Sequence, residues 1–100
     1  MKLKEGVTLE GAKPELINGL AIADAVYMDI AERELVVTSI KDSKHSTNSL
    51  HYKGYAADFR TRDLEDGVAA QIVQELKKML DKDFDIVLEG DHIHFEYDPH

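Results

Sequence analysis

Residues 49–58 read SLHYKGYAAD and place a histidine, His51, seven positions before an aspartate, Asp58. Asp58 lies inside an apolar, strand-like run, although aspartate is depleted in strands and a buried carboxylate needs a partner. Gly54 lets the chain turn so that His51 and Asp58 can face one point, and two alanines leave room there. Taken alone, Asp58 is explained more simply as a strand-end carboxylate that accepts a hydrogen bond from a backbone N–H.

A second unusual stretch, EGDHIHFEY, occupies residues 89–97. Residues two apart on a strand share a face, so His92 and His94 point the same way while Ile93 and Phe95 point the opposite way. The hydrophobic pair marks the core side, and the histidines are therefore predicted to face a cleft or solvent. For an isolated H-x-H pair, two exposed strand histidines are the simpler explanation.

The two stretches together offer a ligand set for a metal ion. The chain has no cysteine, which excludes disulfides and thiolate sites and leaves histidine, aspartate and glutamate as ligands. Two imidazoles and one carboxylate are a common ligand set of catalytic zinc, which keeps its fourth position for water. An explanation without metal must account for several unusual residues at once, so we favour a zinc site.

Composition narrows the class of protein. The chain of 100 residues fits one domain, residues 1–100, and its 43% of hydrophobic residues are enough for a core. The 20 acidic and 12 basic residues give a formal charge of −8, which argues against binding to nucleic acid. No apolar run approaches the ~18–20 residues of a membrane span, and the start, MKLKEGVTLEG, lacks the apolar region of a signal peptide. We expect synthesis in the cytoplasm and no membrane association.

The pattern of apolar residues predicts an α+β domain. Alternating or β-branched residues predict strands, and apolar residues three or four apart predict helices. Asp63 is the predicted N-cap of the second helix. In chain order we predict a short β-like run, a helix, two strands, a second helix and a hairpin, at residues 6–11, 13–33, 34–40, 55–61, 63–82, 84–89 and 92–97. This order is typical of a small, mainly antiparallel sheet with the helices packed on one side.

The motif S-x-H-x-x-G-x-A-x-D of residues 49–58, followed by H-x-H near the C-terminus, resembles the D-Ala-D-Ala metallopeptidase family. That family belongs to a larger group with the lysostaphin-type enzymes and the hedgehog signalling domains. Residues 36–52, VVTSIKDSKHSTNSLHY, also resemble the strand and loop before the motif in small phage and prophage members. The resemblance covers residues 34–63 and 85–97, and it implies a hedgehog or D,D-peptidase-like fold.

The resemblance implies roles for individual residues. His51, Asp58 and His94 match the family's three zinc ligands. His92 occupies the place of the first H-x-H histidine, which family members use in the active site. Lys41 stands where the family more often has an arginine that stabilises the oxyanion, so Lys41 is the predicted counterpart of that arginine.

The resemblance also implies a carboxylate general base three residues before the last ligand, where this chain has Asp91. Strand alternation alone would turn Asp91 away from His94, but its place in the turn after Gly90 frees it from that alternation. The competing alignment is E-x-x-H, which would make Glu89 the base and His92 the third ligand. We prefer Asp91 because the sequence HFE from His94 continues the family pattern.

The function that the resemblance implies is zinc-dependent hydrolysis of a peptide bond in peptidoglycan stem peptides, by a D,D-carboxypeptidase or an endopeptidase of the endolysin type. We expect Zn2+ as cofactor, a monomer, action at the cell wall, and an origin in a phage or prophage. An alternative is a non-catalytic zinc-binding or phage structural domain on the same fold. The presence of a candidate base, Asp91, favours the enzyme. The presence of Lys41 in place of the more usual arginine favours the alternative. A metal-free domain with surface histidines is a third possibility.

Overall fold

The chain forms two α-helices and five β-strands in the computed structural model, which describes residues 1–43 and 54–98. The side chains of residues 41–43 and 54–55 are outside that description. In chain order the elements are β1 (Lys2–Leu3), α1 (Pro14–Ala31), β2 (Val36–Ser43), β3 (Gly54–Arg60), α2 (Val68–Met79), β4 (Phe84–Leu88) and β5 (His92–Tyr97). The predicted α+β class and the predicted order of helices and main strands are confirmed.

The described strands form one mixed sheet in the order β1-β2-β3-β5-β4. β1 runs parallel to β2, and the other neighbouring pairs are antiparallel. β5 is the last strand in the sequence, but in the sheet it lies between β3 and β4. This topology places β3 and β5, which carry the Asp58 and H-x-H parts of the sequence pattern, side by side inside the sheet.

One face of the sheet packs against both helices. Leu16 and Leu20 of α1 and Ile72 and Leu76 of α2 are fully buried in the same core as Phe59 of β3. Each helix therefore contributes one apolar stripe, and the strands contribute alternate residues, as their sequence periods predict. The polar side chains of the strands lie on the opposite face of the sheet.

Gly19 lies on the side of α1 that packs against the sheet, and among the described glycines it is the one with the closest neighbours. A Cβ atom at this position would lie 2.7 Å from the ring of Phe84 and 3.0 Å from the ring of Phe95. Glycine inside a helix costs about 1 kcal/mol relative to alanine. Here the missing side chain allows the helix backbone to pack directly on two aromatic rings.

Two local predictions are wrong. Asp63 does not cap α2, because Gly67 is the N-cap of a helix that begins at Val68. Gly67 has a φ of 84°, a left-handed conformation that an α-helix cannot run through, so the residues before it form turns instead. Residues 6–11 form no strand, and the first strand is Lys2–Leu3, which pairs with β2.

Candidate functional site

The face of the sheet opposite the helices carries the polar residues of both motifs. In the register of β3 and β5, Asp58 pairs with His94 and Arg60 pairs with His92, and Glu96 follows two residues after His94. Paired residues project from the same face of a sheet. The intervening side chains that enter the core are Phe59, Ile93 and Phe95. The prediction that the two histidines point away from the core is therefore confirmed.

His94 lies between two carboxylates. Its Nδ1 atom is 3.2 Å from Asp58 Oδ1, and its Nε2 atom is 2.8 Å from Glu96 Oε1. Glu96 is only 4% exposed, so its carboxylate is held in the interior beside the imidazole. Burial by itself lowers the pKa of His94, but the hydrogen bonds to Glu96 and Asp58 outweigh burial and hold that pKa above its ordinary value.

His92 approaches the same aspartate. Its Nε2 atom is 3.7 Å from Asp58 Oδ1, and its Nδ1 atom is 2.6 Å from Asp91 Oδ1. The Asp91 side chain is 93% exposed. Its hydrogen bond with His92 holds the pKa of the Asp91 carboxyl below its ordinary value. The Asp58 Oδ1 atom is thus the point on which both imidazoles converge.

The geometry of Asp58 and His94 fits two ligands of one metal ion. A tetrahedral zinc ion with bonds of ~2.0–2.1 Å holds its ligand atoms about 3.3 Å apart. Asp58 Oδ1 and His94 Nδ1 are 3.2 Å apart, so an ion could replace the proton between them with little movement of either strand. Imidazole nitrogen and carboxylate oxygen are both donors that zinc accepts.

The structure brings part of the predicted site together. The predicted residues that meet on the open face are Asp58, Asp91, His92 and His94. His51 lies outside the described residues, and so does the side chain of Lys41, whose backbone pairs with Ala56 of β3. The roles of His51 as a ligand and of Lys41 as an oxyanion stabiliser stay predictions.

The two candidate bases occupy different environments. Asp91 sits in the bend before β5 and lines a cleft together with Asp58 and His92. Glu89 follows β4 and is exposed; its backbone N–H donates to the His92 carbonyl at 2.8 Å, and its side chain does not line that cleft. Because Asp91 lies in the bend and not in β5, its side chain can point toward the face that carries His92 and Asp58. This favours Asp91 over Glu89 as the candidate base.

Two clefts border these residues. The first, which we name the basic cleft, has a volume of about 310 Å³ and is lined by Lys4, Thr38, Asp58, Arg60, Arg62, Asp91 and His92. The second has a volume of about 540 Å³, follows β4 and the end of α2, and reaches His94 and Glu96. Asp58 and His94 therefore lie between two openings of the size that holds small ligands.

A separate group of acidic residues could also hold a metal ion. Asp85, Glu96 and Asp98 each offer a carboxylate oxygen, and these atoms all lie within 4.8 Å of one another. Exposed acidic groups commonly lie this close together without an ion. No sequence motif indicates this group, because Asp85 meets Glu96 only through the register of β4 and β5.

Glu96 and Arg60 also belong to the site, although the sequence motif did not identify them. Glu96 is two residues after His94 on β5, and Arg60 is two residues after Asp58 on β3. Because side chains two apart share a face of a strand, both residues could have been found from the alternation that placed the histidines. The signal was a charged residue two positions after each predicted ligand.

Comparison with known proteins adds no assignment. No protein-family model matches the chain, no curated protein matches it, and no solved structure matches it. In the part of the chain that the structure describes, no helix combines the length and the apolar character needed to cross a membrane. The geometry of the open face and the sequence motif are therefore the features from which a function can be proposed.

Proposed function

We propose that this chain is a zinc-dependent peptidase that hydrolyses a peptide bond in peptidoglycan stem peptides. The observation that carries the proposal is the separation of 3.2 Å between Asp58 Oδ1 and His94 Nδ1, which suits two ligands of one zinc ion. Both residues stand at positions that the motif assigns to ligands. His51 is the third ligand in this proposal.

In the proposed mechanism, Asp91 is the general base. Zinc, when bound, supplies a water with a pKa near ~7 and polarises the scissile carbonyl. Asp91 accepts the proton of the attacking water and passes it to the leaving amine. The hydrogen bond with His92 keeps the pKa of Asp91 low, so this exposed carboxylate is ionised and in its acceptor form at neutral pH.

His92 is the proposed donor to the substrate oxygen. Its Nδ1 atom is held by Asp91 at 2.6 Å, which leaves Nε2 beside Asp58 at 3.7 Å. Because Nδ1–H donates to the ionised Asp91, Nε2 carries a proton only when the ring is doubly protonated, and in that form Nε2–H can donate a hydrogen bond to the oxyanion that develops on the scissile carbonyl. Lys41 is the second proposed donor to that oxygen.

Glu96 is a positioning residue in the proposed mechanism. Its buried carboxylate accepts a hydrogen bond from His94 Nε2 at 2.8 Å, so that the neutral ring presents an unprotonated Nδ1 to the metal. Carboxylates that contact a ligating histidine in this way fix its tautomer and raise its basicity.

Metal analysis tests the ligand assignment. We expect one zinc ion per purified chain, and we expect His94→Ala to lose that ion because it removes the imidazole nitrogen that lies 3.2 Å from Asp58 Oδ1, whereas His92 Nε2 lies farther away at 3.7 Å. His92→Ala is the matched control, since it removes an imidazole from the same face but not a proposed ligand. Stoichiometric zinc in His94→Ala at neutral pH would refute the assignment.

A non-catalytic zinc-binding or phage structural domain is the second candidate function. The observation that favours it is the lysine at position 41, where the resembling peptidases more often have an arginine. Incubation of the zinc-loaded chain with defined muropeptides separates the two, with products identified by mass spectrometry. Cleavage of a D-Ala-D-Ala, L-Ala-D-Glu or crossbridge bond supports the peptidase, whereas bound zinc without any cleavage supports the non-catalytic domain.

A further inference from the structure

We infer that two copies of this chain associate through their β4 strands, so that their two sheets join into one continuous sheet across a twofold axis. The inference does not depend on the proposed peptidase function, and the dimer would replace the monomer expected from the sequence. In the part of the chain that the structure describes, β1 and β4 are the edge strands of the sheet, and each pairs with a neighbour on one side only.

The two edges of the sheet are protected to different degrees. Natural proteins prevent an edge strand from pairing with another chain by making it very short, or by placing lysine, proline or a bulge in it. β1 is two residues long, contains Lys2 and is followed directly by Lys4. β4 is five residues long, and its sequence, FDIVL, has no lysine, proline or glycine. The edge at β4 is therefore the one that can accept a further strand.

The backbone of β4 offers four hydrogen-bonding groups to such a strand. On the inner side of the hairpin, the Glu89 N–H donates to the His92 carbonyl at 2.8 Å. In an antiparallel pair, every second residue directs both of its backbone groups toward the same neighbour. The odd-numbered residues of β4 therefore face β5, and the N–H and C=O groups of Ile86 and Leu88 point to the outer edge.

One register of two antiparallel β4 strands uses all four groups. When Ile86 lies opposite Leu88 of the second copy, these two residues exchange two hydrogen bonds, and the twofold axis repeats the exchange. Val87 then lies at the axis, opposite Val87 of the second copy. The same surface serves both copies, which is the condition for a closed dimer.

This register also covers the exposed apolar side chains of β4. Val87 is 46% exposed and Leu88 is 43% exposed. Paired residues project from one face of a sheet, so the two Val87 side chains pack together on the open face, and Leu88 packs against Ile86 of the second copy on the helix side. The groove of about 540 Å³ along β4, which Leu80 and Phe84 also line, leaves space for the added strand. β4 is thus complementary to a second copy of itself in backbone and in side chains.

Charge limits the strength of the association. In this register Asp85 lies opposite Glu89 of the second copy, and both are exposed acidic residues of a chain with a net charge of −8. Like charges directly opposite each other destabilise a strand pair, and salt screens their repulsion. We therefore expect the dimer to become more stable as the NaCl concentration rises. We also expect Glu89→Lys to strengthen the dimer, because it converts both repulsive pairs into attractive ones.

Sedimentation equilibrium tests the association. Because one strand pair makes a small interface, we expect the average molar mass to rise toward twice that of the chain between about 1 µM and 1 mM. Val87→Lys places two ammonium groups together at the axis and should raise the dissociation constant roughly tenfold or more. Met28→Lys adds the same charge at an exposed position of α1 and should leave the dissociation constant unchanged. A chain that stays monomeric throughout this range in high salt would overturn the inference.

A disulfide tests the register. The chain has no cysteine, so Val87→Cys introduces one thiol per copy, and the proposed register brings the two thiols within reach of a disulfide. With diamide as the oxidant, we expect Val87→Cys to form covalent dimers much faster than Met28→Cys, whose thiol is also exposed. Equal rates for the two variants would show that the copies do not meet at β4 in this register, and would overturn the assignment.

Peptides test whether the occupant of the edge is a second copy. The probes are a peptide with the sequence of residues 83–89, DFDIVLE, and a scrambled peptide of the same composition, each titrated into the dilute chain. We expect only the first peptide to shift the amide NMR signals of Ile86 and Leu88. Equal shifts with the scrambled peptide would mean that the edge accepts any extended strand, and would overturn the assignment to a second copy.

Discussion

On the helix side of the sheet, Phe59 and Phe95 are fully buried with their ring centroids 4.9 Å apart. On the other side of the same strands, Asp58 and His94 meet through a polar contact of 3.2 Å and remain partly exposed. Adjacent residues of one strand therefore serve different purposes. The comparison predicts that changes on the helix side reduce the free energy of unfolding, and that changes on the open side reduce metal binding and catalysis.

The largest effect on stability is expected from Phe95→Ala. Phe95 contacts the rings of Phe59 and Phe84 and lies under Gly19 of α1, so its removal leaves a cavity that should cost about 3–5 kcal/mol. His92→Ala, on the open face of the same strand, should cost less than about 1 kcal/mol. Urea unfolding followed by circular dichroism measures both. Equal losses in the two variants would contradict the division of roles between the faces.

The largest effect on catalysis without loss of metal is expected from Asp91→Asn. The variant keeps the ligands but lacks the proposed base, so kcat on a cleavable muropeptide should fall about 100-fold or more. Glu89→Gln, which removes an exposed carboxylate of the same hairpin, is the control. An active, zinc-loaded Asp91→Asn beside an inactive Glu89→Gln would move the base to Glu89 and the third ligand to His92.

Much of this division of faces could be predicted from the sequence, because it depends on local periods. The alternation of His92, Ile93, His94 and Phe95 determines which side chains enter the core, and that prediction is confirmed. The meeting of His94 with Asp58, which is 36 residues away, depends on strand pairing that no local pattern specifies. The sequence predicted that meeting from the ligand chemistry of the two stretches and from the family resemblance.

Other features escaped prediction for physical reasons. The strand Lys2–Leu3 is two residues long and exists because it pairs with Val36 and Val37, so its own sequence carries no signal. The start of α2 was misplaced because Asp63 has the chemistry of an N-cap, whereas the left-handed conformation of Gly67 sets the true boundary. In both cases a tertiary or backbone constraint overrode side-chain preference.

A smaller effect is expected when Glu96 is changed. Glu96→Met removes the hydrogen-bond acceptor from His94 Nε2 and should weaken zinc binding about 10-fold to 100-fold, as loss of such supporting contacts does. Glu96→Gln keeps an acceptor oxygen and should recover part of that loss. Zinc affinity is measured by competition with a chelator, and nitrogen-15 NMR of the metal-free chain reports the His94 tautomer, which should change in Glu96→Met.

The control for this prediction also tests the acidic group beside β4. Asp85→Asn removes the same charge from the residue paired with Glu96, but Asp85 is not a proposed zinc ligand. Unchanged zinc affinity in Asp85→Asn, together with weaker binding in Glu96→Met, would support the role of Glu96 through His94. Loss of zinc from Asp85→Asn would instead locate the ion at Asp85, Glu96 and Asp98.

The smallest effect on stability is expected from the ionisation of Tyr27, on the helix side of the sheet. Tyr27 is 2% exposed, its hydroxyl donates to the Arg60 carbonyl at 3.4 Å, and burial raises its pKa well above the ordinary value of about 10. His94 on the open face also has a raised pKa, but there the carboxylates of Glu96 and Asp58 stabilise the charged form. At Tyr27 the interior disfavours the charged form, so the two sides of the sheet raise a pKa for opposite reasons.

This difference predicts a specific loss of stability at high pH. Below pH ~10 the tyrosine is neutral in both the folded and the unfolded chain, and its burial has no pH dependence. Above that pH the unfolded chain ionises while the folded chain does not, so the free energy of unfolding should fall by about 1.4 kcal/mol per pH unit until the raised pKa is reached. Tyr27→Phe has no hydroxyl that can ionise. Between pH 10 and 11 its free energy of unfolding, measured with urea, should therefore increase relative to that of the unchanged chain. Parallel pH profiles for the two chains would mean that the Tyr27 hydroxyl is not buried as the helix side of the sheet requires.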